Sequence, residues 1–176
     1  MKTELILNEL NEYGKSLSFK SKTKILSPNL KEKFFFYIET GYLQQYYLIK
    51  GKKHVFRLIE PNTFCESFTI LNGEVNNFEF IETVSAVNLI QYDYQKLIHI
   101  IDSNLEVSNF FRELLGDFLF FQEKRILKFL AMNPRERYEE FIRNDYQKIG
   151  KFSDNIIASY LGMTKESLSR FRNKKS

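Results

Sequence analysis

The sequence predicts an α+β fold: an N-terminal double-stranded β-roll of the jelly-roll kind, one long helix, and a C-terminal helix-turn-helix. Three observations carry this expectation. From about Phe19 to Tyr94, short β-branched and aromatic runs are separated by turn residues. From Asn104 to Ala131, apolar residues recur at helical spacing without a breaker. From Ser153 to Lys175, small, glycine and apolar residues stand where two short crossed helices need them. The expected divisions are 1–102, 103–132 and 133–176.

Composition narrows the class. The chain of 176 residues is 43% hydrophobic and 27% charged, the balance of a globular protein rather than a disordered one. Eighteen Phe and ten Tyr against no Trp predict a core built on phenylalanine. Apolar runs such as Phe34–Ile38 and Phe118–Phe121 fall far short of the ~18 residues of a membrane span. The first residues (MKTELILNELNEYG) lack the continuous apolar core of a signal peptide, so a cytoplasmic protein is expected. One cysteine, Cys65, excludes an internal disulfide and a Cys-ligated iron–sulfur cluster within the chain. Two histidines, His54 and His99, make neither a zinc site nor a cupin-type metalloenzyme, so no metal, no cofactor and no enzymatic activity are expected.

Charge is unevenly placed. Residues 122–176 hold thirteen Lys/Arg against seven Asp/Glu, whereas residues 1–121 hold thirteen against fifteen. The overall +4 therefore resides in the C-terminal third, where it allows an anionic partner.

Taken in order, Leu5, Ile6, Glu9, Leu10 and Tyr13 have helical spacing, with Gly14 as the expected stop. The strand region follows, and Ile49-Lys50-Gly51-Lys52 reads as a hairpin turn between two period-two runs. The Phe and Tyr rings of this region are read as core. Tyr94–Ile101 reads as a short helix. In Asn104–Ala131, Val107, Phe111, Leu114, Phe118, Phe121 and Leu130 mark apolar faces, while Phe110, Leu115, Leu119 and Ile126 lie around the side. That is too much apolar surface for one face, so two burial partners are expected: the β-domain and a second copy of the helix. Phe111, Leu114, Phe118 and Phe121 are the expected dimer seam. Asn133-Pro134 ends this helix, and Pro134 in a first turn begins another.

The C-terminal segment SDNIIASYLGMTKESLSRFRNKK carries the chemistry. Ala158 is the small residue at the helix crossing and Gly162 the turn. Ile157, Leu161, Met163, Leu168 and Phe171 supply the inward apolar set, and Thr164 is a suitable N-cap. Lys165, Glu166, Ser167, Ser169, Arg170 and Arg172 are left facing outward. Arg can pair with guanine O6 and N7, Glu can accept from cytosine N4, and Ser can bond bases or phosphates. With Thr164 and with Lys174 of the basic tail, these are the expected contacts to double-stranded DNA. Arg135, Arg137, Lys148 and Lys151 are further candidates for phosphate contact. Only three residues follow the second helix, so no hairpin wing is expected after it.

In this order and size, the elements resemble the cyclic-AMP receptor protein/fumarate-nitrate regulator (Crp/Fnr) family. The resemblance covers nearly the whole chain. It is most specific in IASYLGMTKESLSRFR and in the strand–turn–strand run FYIETGYLQQYYLIKGKKHVFRLIEPNTFCES. It implies a transcription regulator that dimerises through the long helix and reads an inverted repeat. The family's DNA-contacting positions fall on Lys165, Glu166, Ser167 and Arg170. The partners implied are double-stranded DNA, a second copy of the chain, RNA polymerase and a small-molecule effector, with no membrane.

The departures concern that effector. Family members that bind cyclic nucleotides hold the phosphate with a Glu in a Phe-Gly-Glu element and an Arg downstream. Here the element reads Phe64-Cys65-Glu66-Ser67, which are the effector-pocket candidates, and Val75 or Asn76 stands where the Arg is expected. Leu58–Gln95 holds six Asp/Glu and no Lys or Arg. A buried phosphate without a cation is strongly disfavoured, so cyclic AMP is not expected to bind in the usual way. Cys65 is read as a small apolar residue rather than a redox sensor. Two alternatives remain open: a constitutive DNA binder with a structural roll, and a non-catalytic protein-interaction module.

Overall fold

The computed structural model describes residues 2–28, 34–66 and 78–173. Helix α1 (Lys2–Leu10) and a 3-10 turn (Asn11–Tyr13) lead into eight strands. These are β1 (Gly14–Phe19), β2 (Lys24–Leu26), β3 (Phe34–Thr40), β4 (Leu43–Ile49), β5 (Lys52–Ile59), β6 (Thr63–Cys65), β7 (Glu79–Thr83) and β8 (Val87–Asp93). Five helices follow: α2 (Tyr94–Ser103), α3 (Leu105–Ala131), α4 (Pro134–Asn144), α5 (Asp154–Tyr160) and α6 (Lys165–Asn173). The strands form two four-stranded antiparallel sheets, ordered β1-β8-β3-β6 and β2-β7-β4-β5. This is the α+β architecture expected: a double-stranded roll, a long helix and a terminal pair of short crossed helices.

Period-two patterning divides the core. In β3, Phe36 and Ile38 face the second sheet and join Leu26, Leu43, Ile59, Cys65, Ile81 and Leu89. Phe35 and Tyr37, at the alternate positions, pack with Ile6, Leu10, Leu97, Val107 and Phe110 of the helices. The third core lies between the second sheet and the C-terminal helices. There Tyr46, Val55 and Leu58 meet Tyr138, Phe141, Ile157, Leu161 and Leu168. The C-terminal head is thus packed onto the roll rather than tethered beside it.

Local chemistry fixes the helix boundaries. The Asn104 carboxamide accepts from the amides of Glu106 and Val107 and starts α3. Asn133 and Glu136 form a reciprocal capping box at α4, with Pro134 in its first turn. At the β4–β5 turn Lys50 and Gly51 both have positive φ, +50° and +74°, the arrangement a two-residue hairpin requires.

Gly14 is the stop expected: its amide donates to the Asn11 carbonyl and caps the 3-10 turn, and it is also the first residue of β1, with φ of −93°. A Cβ there would lie 2.9 Å from the Tyr92 ring and closer still to Ile90, so close packing of β1 on β8 is what requires glycine.

Candidate functional site

The first of two candidate sites is the α5–α6 pair. Ile157, Ala158, Leu161 and Leu168 are buried at the crossing, and Met163 and Phe171 pack against them. Burying Leu168 completely stabilises the pair by roughly 1.5–3 kcal/mol. Gly162 makes the turn at φ +66°, and a Cβ there would strike the Phe129 ring of α3 at 2.5 Å. Thr164 caps α6: its hydroxyl oxygen accepts from the Ser167 amide at 3.2 Å. This is the helix-turn-helix arrangement that the spacing predicts.

Lys165, Glu166, Ser169 and Arg170 are exposed along one side of α6. The Glu166 carboxyl is held below the usual carboxylate range by its own backbone amide and by Thr164, so it stands as an ionised acceptor. Ser167 is half-buried, its hydroxyl engaged with Thr164 and within 3.5 Å of Arg170. Arg172 is exposed too, and its guanidinium forks onto Asp154 at 2.8 and 3.1 Å and ties α6 to α5. Lys174 lies outside the described residues.

The phosphate candidates divide. Arg135 and Lys151 are exposed. Arg137 is buried and donates to the carbonyls of Met132, Leu161 and Gly162, so it closes the ends of α3 and α5. Lys148 is paired with Asp145 at 2.7 Å and with Glu60 of the roll at 3.2 Å. Neither is free to meet a phosphate, because burial requires every donor to find an acceptor inside the protein.

The second site is a cavity of about 850 Å³ between the roll and helices α2 and α3. Phe35, Tyr47, Phe56, Phe64, Tyr94, Phe111 and Phe118 supply aromatic walls, and Gln45, Arg57, Glu66, Glu79, Asp117 and Lys148 supply polar groups. The rings of the roll are therefore not all core. Phe64 and Glu66 are where the sequence expects them. Cys65 is not: it is fully buried between the sheets, and burial pushes its thiol up to about 12. Alternation along β6 explains this, since Phe64 and Cys65 must face opposite sides. Ser67, Val75 and Asn76 lie outside the described residues.

The cation that Leu58–Gln95 lacks comes from one residue upstream. The β4–β5 register slips between Gln45 and Tyr46, leaving Phe56 as the extra residue of a bulge. Arg57 then reaches Glu66 at 3.4 Å and the Phe64 carbonyl at 2.8 Å, and lies over the Phe118 ring. Burial raises the Glu66 carboxyl above its usual range, Arg57 opposes that, and Glu79 adds to it.

The residues of the expected dimer seam divide. Phe111 packs edge-on against Phe35 and Phe64, and Leu114 joins the same core. Phe118 faces Arg57 in the cavity, and Phe121 lines it too. Leu115, Leu119, Ile126 and Leu130 form an outward stripe of α3, 47–78% exposed, of which Leu115 and Leu119 also reach the cavity; Phe120, Phe121 and Leu127 are exposed beside it.

No family model and no curated protein matches the sequence. Solved structures do match. The chain is similar to a double variant of CooA from Carboxydothermus hydrogenoformans, with a TM-score of 0.78 and 17% identity over 96% of this chain and 83% of that one. It is similar to CLP, a c-di-GMP-responsive global regulator from Xanthomonas campestris, with a TM-score of 0.77 and 11% identity over 98% and 91%. A candidate Crp/Fnr-family transcriptional regulator from Eubacterium rectale matches with a TM-score of 0.71 and 16% identity over 97% and 82%. The chain has the Crp/Fnr fold, a cyclic-nucleotide-binding-like roll with a long helix and a helix-turn-helix. Among the described residues, no helix is long and apolar enough to cross a membrane, and no group of three or more His, Cys, Asp or Glu could hold a metal ion.

Proposed function

We propose that this protein is a cytoplasmic, non-catalytic transcription regulator that binds DNA sequence-specifically as a homodimer, without holding cyclic AMP in the usual way. The observation that carries this reading is the exposed Lys165-Glu166-Ser169-Arg170 side of a capped, well-packed second helix. Residues 1–102 form the effector-like roll, 103–132 the dimer helix and 133–176 the DNA-binding head. Two copies of α6 enter major grooves about 34 Å apart, so the operator is an inverted repeat. RNA polymerase is the machinery such a bound dimer recruits or blocks.

A regulator works by favouring one head arrangement over another, which requires a ligand with different affinity for the two. The aromatic cavity gives the roll a place for such a ligand and favours this reading over a constitutive binder with a purely structural roll. The test is selection of bound sites from a random duplex pool, with and without cyclic AMP. An inverted repeat recovered equally in both arms supports the proposal, with affinity falling steeply as salt rises. Recovery only with cyclic AMP overturns the nucleotide part. Salt-insensitive retention without sequence enrichment points instead to a protein-interaction module.

A further inference from the structure

We propose that the cavity between the roll and helices α2 and α3 binds an aromatic molecule bearing hydrogen-bond donors, neutral or cationic, and discriminates against anions. This deepens the regulator reading by naming the effector's chemistry, but binding itself is measured without DNA and stands or falls separately.

Gln45 is the first reason. It is 1% exposed and lines the cavity. Its carboxamide nitrogen donates to the Glu79 carboxylate at 2.6 Å and to the Glu66 carbonyl at 3.1 Å. Both partners are acceptors, which fixes the orientation of the amide. Among the described residues, its Oε1 is therefore left buried and without a donor. A buried acceptor without a partner costs free energy, and a ligand N–H or O–H removes that cost.

Charge is the second reason. Among the described residues, three carboxylates line the cavity, Glu66, Glu79 and Asp117, against two cations, Arg57 and Lys148. Both cations are committed: Arg57 to Glu66 and the Phe64 carbonyl, Lys148 to Glu60 and Asp145. An anion entering here would compete with these carboxylates for the same cations and lie beside Glu66, Glu79 or Asp117. The remaining wall is apolar, with Phe35, Tyr47, Phe64 and Phe118 offering ring faces and edges to a planar guest and leucines and isoleucines between them. A cationic guest gains further from those ring faces. The volume suits a molecule of one or two fused rings with a short side chain.

Lys148 gives occupancy a consequence. It lies between α4 and α5, reaches the cavity, and is bonded to Glu60 of the roll. A guest beside it acts on the contact that holds the head to the roll.

The test uses the full chain and a matched pair of probes, tryptamine and indole-3-propionate, which share a ring and an ethylene spacer but differ in the sign of charge. The protein has no tryptophan, so indole fluorescence reports the probe alone. Tryptamine is expected to bind roughly tenfold or more tightly than indole-3-propionate or cyclic AMP. Gln45→Leu is expected to weaken tryptamine. Glu66→Gln, which keeps the shape of the site should the first variant fail to fold, is expected to narrow the difference between the two probes. Equal or tighter binding of either anion overturns the proposal. So does no binding by tryptamine up to about 1 mM, or an unchanged preference in a folded Glu66→Gln variant.

Discussion

The Val55 amide donates to the Ser159 hydroxyl at 2.9 Å, and that hydroxyl donates to the Lys53 carbonyl at 3.1 Å, joining residues 104 positions apart. Strand β5 is the outer strand of its sheet, so its backbone groups would otherwise stand open to another chain. One serine of α5 therefore covers a sheet edge and docks the head. Arg125 of α3 reinforces the junction by donating to the Tyr160 carbonyl at 2.7 Å and by reaching the Val55 carbonyl at 3.4 Å. Ser159→Ala is expected to cost about 1 kcal/mol in urea unfolding and to speed hydrogen exchange at the Val55 amide. Unchanged exchange would show that the contact does not hold the head in place.

Arg170 and Arg172 lie two residues apart and have different tasks. Arg170 is exposed, with one guanidinium nitrogen 3.5 Å from the Ser167 hydroxyl, whereas Arg172 is paired with Asp154. Arg170→Ala is expected to leave the melting temperature unchanged, relax base preference at one position of each half-site, and cost roughly 1–3 kcal/mol on the preferred operator. Arg172→Ala is expected to lower stability by a few tenths to about 1 kcal/mol, because the ion pair is partly exposed. Asp154→Ala should reproduce that loss. If Arg172→Ala weakens DNA binding far more than Asp154→Ala does, the arginine reads DNA as well.

Glu66 gives the fold a pH dependence of calculable sign. Burial raises its carboxyl, the neighbouring Arg57 lowers it, and Glu79 raises it again, with a net shift upward. The folded chain then holds the Glu66 proton more tightly than the unfolded chain does. Its contribution to stability is fully present below the ordinary carboxylate value, about 4.3, and is lost as pH rises through the raised value. Glu66→Gln is expected to remove that part of the slope, so its stability relative to wild type rises as pH climbs from the ordinary carboxylate value through the raised one. Melting curves across this interval, read for the difference between the two proteins, decide the matter. Parallel pH profiles would place the shift elsewhere.

What was legible in the sequence follows from the range of the interactions involved. The α5–α6 pair obeys a grammar confined to about twenty residues: Ala158 at the crossing, Gly162 at positive φ, Thr164 as cap. The Lys50-Gly51 turn is local in the same sense. The meeting of Arg57 with Glu66 is not, because it depends on a bulge between paired strands that period-two patterning does not reveal. Likewise, helical spacing showed that α3 has apolar residues on more than one side without showing which side its own roll covers. Arg137 and Lys148 look like phosphate ligands in sequence because a basic side chain carries no local mark of the carbonyl or carboxylate it will meet.

The assignment of those two sides of α3 makes the sharpest test of the dimer. Phe111, Leu114 and Phe118 are occupied by the chain's own roll and cavity, so removing one of them acts on the folded subunit. Leu115, Leu119 and Ile126 follow one another at spacings of four and seven and lie exposed along one side, as two helices packed along a common seam require. A carboxylate at the centre of that seam would face its own copy across the two-fold axis, unpaired and out of water, and the repulsion has no counterpart in the monomer. Ile126→Asp is therefore expected to give a monomer by light scattering with its roll still cooperatively folded, and to lose high-affinity binding to the inverted repeat while retaining weak half-site binding. Phe111→Ala is expected to do the reverse, lowering subunit stability by on the order of 2–4 kcal/mol while the folded fraction stays dimeric. An Ile126→Asp protein of unchanged mass would move the seam off this side of α3, and with it the two-fold spacing assigned to the operator.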